Sequence, residues 1–136
     1  MFDPQRFLDA QAPVYNTVLN ELLSGHKRNH WMWFIFPQLA GLGHSDTARR
    51  YALAGLADAQ AYLAHPVLGE RLRACSMLVG AVDGASARAI FDTPDDLKFR
   101  SCMTLFARAA PDVPVFTECL HKYFDGKPDP ATLALL

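Results

Sequence analysis

Charge of one sign, paired cysteines, long apolar runs and alternating strand patterns are all scarce in this sequence, and each shortage removes a class of function. With 13 basic against 14 acidic residues the formal charge is −1. No clustered positive surface is expected to neutralise nucleic-acid phosphates, so DNA or RNA binding is disfavoured. The longest strongly apolar run, Trp31 to Phe36, falls far short of the roughly 20 residues that cross a bilayer as a helix. A membrane is therefore not an expected partner. The opening Met1-Phe2-Asp3-Pro4 lacks the basic stretch and apolar run of a secretory signal, which predicts a cytoplasmic location. Three cysteines, Cys75, Cys102 and Cys119, include no C-x-x-C pair. An odd set in apolar surroundings reads as reduced, buried small hydrophobes rather than as disulfides, thiolate metal ligands or nucleophiles.

Signature motifs are missing too. Five histidines include one pair, His26 and His30, at the i, i+4 spacing that can place two imidazoles on one helical face. With no H-E-x-x-H and a helix end predicted at Gly25, no metal centre is expected. The sequence contains no dinucleotide G-x-G-x-x-G, no P-loop and no G-x-S-x-G elbow. No pattern names a cofactor, and none fixes an oligomeric state.

What is present is a chain of 136 residues, 51% of them hydrophobic, a length at which about two thirds of the unfolded surface can be buried. Proline and glycine punctuate short helical periods, with no repeat and no polar linker. The expectation is an all-α fold: a single compact helical domain, residues 1–136, of about six to eight short helices. Asp3-Pro4 and Asp129-Pro130 each offer a capping oxygen followed by a proline suited to the first helical position. After Pro13, the positions of Val14, Val18, Leu19 and Leu22 predict a helix ending at Ser24, before Gly25. Ser45 should cap a helix, bent at Gly55, that continues to Ala64. Pro66 opens a helix whose Leu68, Leu72, Cys75, Val79 and Val82 form a narrow apolar seam, expected as the central strut. A short helix is placed around Ala87 to Phe91, and a stronger start at Thr93-Pro94-Asp95-Asp96, where hydroxyl, proline and carboxylates all suit a helix N-terminus. Val113 to Phe124 and Pro130 to Leu136 complete the set. MWFIF has the composition of a buried strand, but without a partner strand it is read as helical.

Chemistry concentrates in KRNHWMWFIFPQLAGLGHS, residues 27–45. On a helix Lys27 and His30 would share a face with Trp31, so a polar edge would border an aromatic wall. Lys27 could attract an anion, Trp31 or Trp33 stack on a planar group, and His30 and Gln38 hydrogen-bond. Aromatic clusters more often build cores, and a tryptophan N–H or a histidine beside them then finds a backbone carbonyl. Gly41-Leu42-Gly43 leading to Ser45 resembles an anion-binding turn only coarsely, and a plain helix cap at Ser45 accounts for it as well. On the later helix Lys98, Ser101, Thr104 and Arg108 form a polar stripe. It reads either as a solvated face or, flanked by Leu97 and Leu105, as the wall of a polar pocket.

Those segments also carry a resemblance. HWMWFIFPQLAGLGHS, YLAHPVLGERL, DDLKFRSCMTLF and the closing Phe124, Gly126, Asp129, Thr132 and Leu133 resemble a bacterial family catalogued as a domain of unknown function, number 1810. The likeness covers nearly the whole chain and implies a small all-helical domain. It brings no established activity, cofactor or catalytic residue. Where relatives look like S-S-M-T-L-F, this chain has Ser101-Cys102-Met103-Thr104, so a hydroxyl at position 102 is not a requirement.

The functional expectation is a small-molecule-binding domain for an anionic, nucleotide-like ligand. Lys27 and Lys98 would neutralise charge and Trp31 or Trp33 would stack. Gln38, Ser45, Ser101 and Thr104 would select polar groups, and His30 would transfer a proton if there is catalysis. The alternative is a protein-interaction or adaptor domain without activity. The ligand reading requires residues 27–38 and 98–104 to meet in space.

Overall fold

Capping side chains and prolines set where the helices begin. The computed structural model, which describes residues 1–136, contains ten helices and no strand: α1 Gln5–Gln11, α2 Tyr15–Ser24, α3 Met32–Ile35, α4 Asp46–Arg50, α5 Leu56–Ala64, α6 Pro66–Ala81, α7 Ala87–Phe91, α8 Asp95–Ala109, α9 Pro114–Phe124 and α10 Pro130–Leu135. No helix is long and apolar enough to cross a membrane. Pro66, Pro114 and Pro130 occupy first-turn positions, where the missing N–H costs nothing and the fixed φ suits the helix. Ser45, Ser86 and Asp129 accept bonds from the exposed N–H groups of α4, α7 and α10. His65 does the same for α6 through Nδ1, taking the N–H groups of Val67 and Leu68 at 3.2 Å each.

The all-helical class matches the expectation; the number of helices does not. Ten form where six to eight were expected, and one predicted continuity is broken. The stretch from Ser45 to Ala64 is two helices. Between them Leu53 is drawn into an isolated bridge with Leu39: its N–H donates to Gln38 O at 2.9 Å and its carbonyl accepts from Ala40 N at 2.8 Å. Leu53 is fully buried, so tertiary burial overrides the local helical period. MWFIF contributes one helical turn, Met32–Ile35, and then leaves the helix at Phe36.

A cluster of 27 buried residues forms the core. Helix α6 packs on α2, α5 and α9 through Leu68, Leu72, Cys75 and Val79, as the seam predicts. It shares the central position with α8, which packs against α5, α7, α9 and α10 and buries every residue from Ser101 to Phe106. Helices wrapped on several sides lose the polar face of an ordinary amphipathic helix. The aromatic centre is Phe36, Phe91 and Phe99. Phe36 stands edge-on to both others at 5.9 and 5.1 Å between centroids, and Phe91 stacks on Phe99 at 4.8 Å, geometries that suit the ring quadrupoles. The three cysteines are free and buried. Burial pushes the Cys75 thiol up to about 11 and Cys119 to about 12, and raises Cys102 as well, so thiolate chemistry is suppressed.

Candidate functional site

Gly25, at φ +77°, ends α2 in the left-handed conformation, and the chain beyond it does not return to a helix until Met32. The cause is Glu21, only 7% exposed. Its Oε1 accepts the backbone N–H groups of Arg28 and Asn29 at 2.7 and 3.0 Å and the Trp31 indole N–H at 3.0 Å, while Oε2 accepts Asn29 Nδ2 at 2.5 Å. A carboxylate that collects two consecutive backbone donors holds the segment in a loop. Burial alone would raise the Glu21 pKa, but these bonds outweigh it and keep it at about 2, against an ordinary 4.5.

This loop corrects the helical face expected for Lys27, His30 and Trp31. Trp31 is 1% exposed and its N–H is spent on Glu21, so it belongs to the core. Lys27 is also buried, with Nζ 2.8 Å from Asp95 Oδ2 and its backbone N–H on Ile90 O. It ties the loop to the start of α8. His30 is exposed and does not line a cavity. Ser45 is equally remote from chemistry, its hydroxyl taking Ala48 N–H as the cap of α4.

Trp33, two residues further, projects the other way and is half-buried. Lys98 Nζ lies 3.7 Å from its ring centroid, close cation–π contact, and 3.3 Å from Asp95 Oδ1. Residues 27–38 and 98–104 therefore meet. Two lysines share the single carboxylate of Asp95, leaving a local excess of positive charge at Lys98, the more exposed of the pair. After Trp33 the chain runs through Gln38, whose carbonyl is fixed by Leu53 N–H, to Gly41 at φ +100°. A Cβ at Gly41 would stand 3.3 Å from Leu135 Cδ1, so α10 packs close over this turn. At Gly43 a Cβ would stand 2.8 Å from the Ala48 Cβ and 3.6 Å from the Trp33 ring.

The third wall comes from the C-terminal segment, and its key residue, Asp129, is absent from the sequence-based candidates. Asp129 Oδ2 accepts Ser101 Oγ at 2.7 Å, Thr132 Oγ1 at 2.6 Å and Thr132 N–H at 3.3 Å. Its own N–H donates to Thr104 Oγ1 at 2.9 Å. Arg100 adds bonds to the carbonyls of Lys127 and Pro128, 3.0 Å each. Burial would raise the Asp129 pKa; the bonds from Thr132, Ser101 and Ala131 outweigh it and hold the carboxyl below its ordinary value. The predicted polar stripe is thus neither a solvated face nor wholly a pocket wall. Ser101 and Thr104 are buried under the C-terminal segment, Ser101 reaching the cavity and Thr104 lying behind it, while Arg108 stays exposed. Two signals pointed to Asp129: its fitness as a helix cap before Pro130, and its place in the closing family pattern.

Together these walls enclose a cleft of about 260 Å³ whose polar lining is Trp33, Gln38, Lys98, Ser101 and Asp129, with Leu42, Gly43, Pro94 and Leu97 among its apolar walls. Polar side chains of the same types elsewhere in the fold find protein partners, although the buried Ser76 hydroxyl has none. Gln11 bonds Phe34 O and the Tyr62 hydroxyl, and the Trp31 N–H bonds Glu21. The Trp33 and Gln38 side chains, which line the cleft, make no hydrogen bond to the protein and are not among its buried unpaired groups. A larger groove, about 560 Å³, runs between α6 and α9 past Met77, Val113, Val115 and Cys119. No group of three or more acidic, histidine or cysteine side chains is placed to hold a metal ion.

Comparison with known proteins places this geometry in a family. The model described as "Protein of unknown function (DUF1810)" matches residues 1–136. No curated protein matches the chain. The solved structure of the conserved hypothetical protein Rv1873 from Mycobacterium tuberculosis is 55% identical, with a TM-score of 0.98 over 99% of this chain and 96% of that one.

Proposed function

We propose that this chain, which belongs to the DUF1810 family of proteins of unknown function, is a binding domain for a small acidic molecule held in the cleft between Trp33, Gln38, Lys98 and Asp129. The observation that carries the reading is the set of polar groups left unpaired there, in a fold that pairs the same residue types elsewhere. Lys98 supplies the charge, because Asp95 is already engaged by the better buried Lys27. The Trp33 N–H and the Gln38 amide supply directional hydrogen bonds within a partly apolar cleft, the usual composition of a small-molecule site.

Volume narrows the ligand. About 260 Å³ lies just below the range of roughly 300–1,000 Å³ typical of drug-sized ligands. The cleft suits a small organic acid, or the acidic end of a larger ligand such as a nucleotide that extends into solvent. Lys27, Trp31 and Thr104 support the cleft from behind. His30 and Ser45 stand apart from it, and the reading assigns no catalytic step. The adaptor alternative has its best support in the α6/α9 groove with its exposed Met77, but nothing in the fold names an occupant for it.

Calorimetric titration of short carboxylic and phosphorylated acids into the protein tests the proposal. Saturable binding of at least one of them, weakened tenfold or more by Lys98→Met, is the expected result. No binding by any of them would reject the cleft as an acid site.

A further inference from the structure

Charge in the cleft is divided between its two ends. Lys98, with the excess positive charge, stands on the Trp33 side, and one helical turn further along α8, Ser101 holds Asp129. The two oxygens of Asp129 are used unequally. Oδ2 is saturated by three donors, whereas Oδ1 receives a single long bond, Ala131 N–H at 3.3 Å. A carboxylate has about four lone-pair sites, so Oδ1 keeps acceptor capacity on a residue that lines the cleft. Nor can this carboxylate swing aside to admit an anion. Its Oδ2 is held by Ser101 and Thr132, and its backbone N–H by Thr104 Oγ1.

We propose that the ligand is bifunctional, a short monoanionic acid carrying a hydroxyl or amino donor, its acidic group at Lys98 and its donor at Asp129 Oδ1. The proposal rests on the cleft being the acid site and adds the chemistry of the ligand's second end. The ligand is short, because Lys98 and the Ser101 that holds Asp129 stand one helical turn apart on α8. The same arrangement excludes two other classes. A dianion such as a phosphate monoester would bring its second charge toward Asp129, where like charges repel in a partly desolvated site. A simple fatty acid would leave Oδ1 without the donor it can accept.

Probes that vary the second end on a common carboxylate, with one phosphate monoester for comparison, separate the two ends. Butyrate, 3-hydroxybutyrate, 3-aminobutyrate and propyl phosphate are titrated calorimetrically into the full-length protein. The hydroxy or amino acid is expected to bind at least tenfold more tightly than butyrate and than propyl phosphate. In Asp129→Asn that preference should collapse to within about twofold, with Lys98-dependent binding retained. Because Asp129 also anchors α10, the wild-type comparison carries the test by itself. Equal binding of butyrate and its substituted forms, or tighter binding of propyl phosphate, overturns the bifunctional ligand while leaving the acid site standing. Absence of binding by all four overturns both.

Discussion

Replacing Glu21 by glutamine removes one negative charge and keeps the shape of the side chain, which isolates what the charge does for the loop that places Trp31 and Lys27. In the folded protein the Glu21 pKa is about 2 against an ordinary 4.5. At about 1.4 kcal/mol per unit, the ionised form contributes about 3 kcal/mol to folding at neutral pH. Glutamine can still accept from one oxygen, but its amide would meet Asn29 Nδ2 donor to donor, at the place where Oε2 now accepts at 2.5 Å. Glu21→Gln should therefore lower the free energy of unfolding near pH 7 by about 3 kcal/mol, a large share of a domain's stability. The sign of the pH dependence follows from the depressed pKa. The contribution is complete above about pH 4.5 and disappears as pH falls toward about 2. Urea titrations of both proteins at several pH values measure it, with the midpoint moving and the slope unchanged. Asp129, also depressed, loses its contribution in acid in both proteins and cancels in the difference. A gap between the two proteins that stays constant from about pH 6 to pH 2.5, or no gap at neutral pH, refutes the role given to Glu21.

Helix packing and thiol burial give two further expectations. A Cβ at Gly69 would stand 2.0 Å from the Leu63 carbonyl oxygen, where α6 begins against α5 and only backbone could yield, so Gly69→Ala should cost about 3 kcal/mol in thermal or urea unfolding. Gly55→Ala, with nothing within 4 Å of the new carbon, should change stability by less than about 0.5 kcal/mol. The free thiols of Cys75, Cys102 and Cys119, buried and raised in pKa, should resist an aromatic disulfide reagent in the native state. All three should react once the chain is unfolded.

Local patterning made much of the fold legible. The seam of α6 and the caps of α4 and α10 were readable because propensity, capping and burial agree there. The loop from His26 to Trp31 was not, because its conformation is fixed by a carboxylate several residues upstream that competes for backbone donors, an effect without periodicity. The break between α4 and α5 was hidden for a related reason, since Leu53 is claimed by a bridge to Leu39 rather than by its own neighbours. At the site, side-chain type was a fair guide and side-chain direction was not. Trp31 and Trp33 look equivalent in the sequence, yet one seals the core and the other faces the cleft. Asp129 looked like a helix cap and is one, but the concentration of donors on Oδ2 leaves Oδ1 with acceptor capacity on a residue that lines the cleft.

The two tryptophans also provide the most direct measurement of the central claim, because their indole N–H groups are separate reporters on the same molecule. In ¹H–¹⁵N spectra of the labelled protein titrated with 3-hydroxybutyrate, the Trp33 indole resonance should move saturably. The Trp31 resonance, bonded to Glu21 in the core, should stay in place, and Lys98→Met should abolish the movement of Trp33. A Trp33 resonance that does not respond, or that moves equally with Lys98 removed, would contradict the assignment of this cleft as a site for small acids.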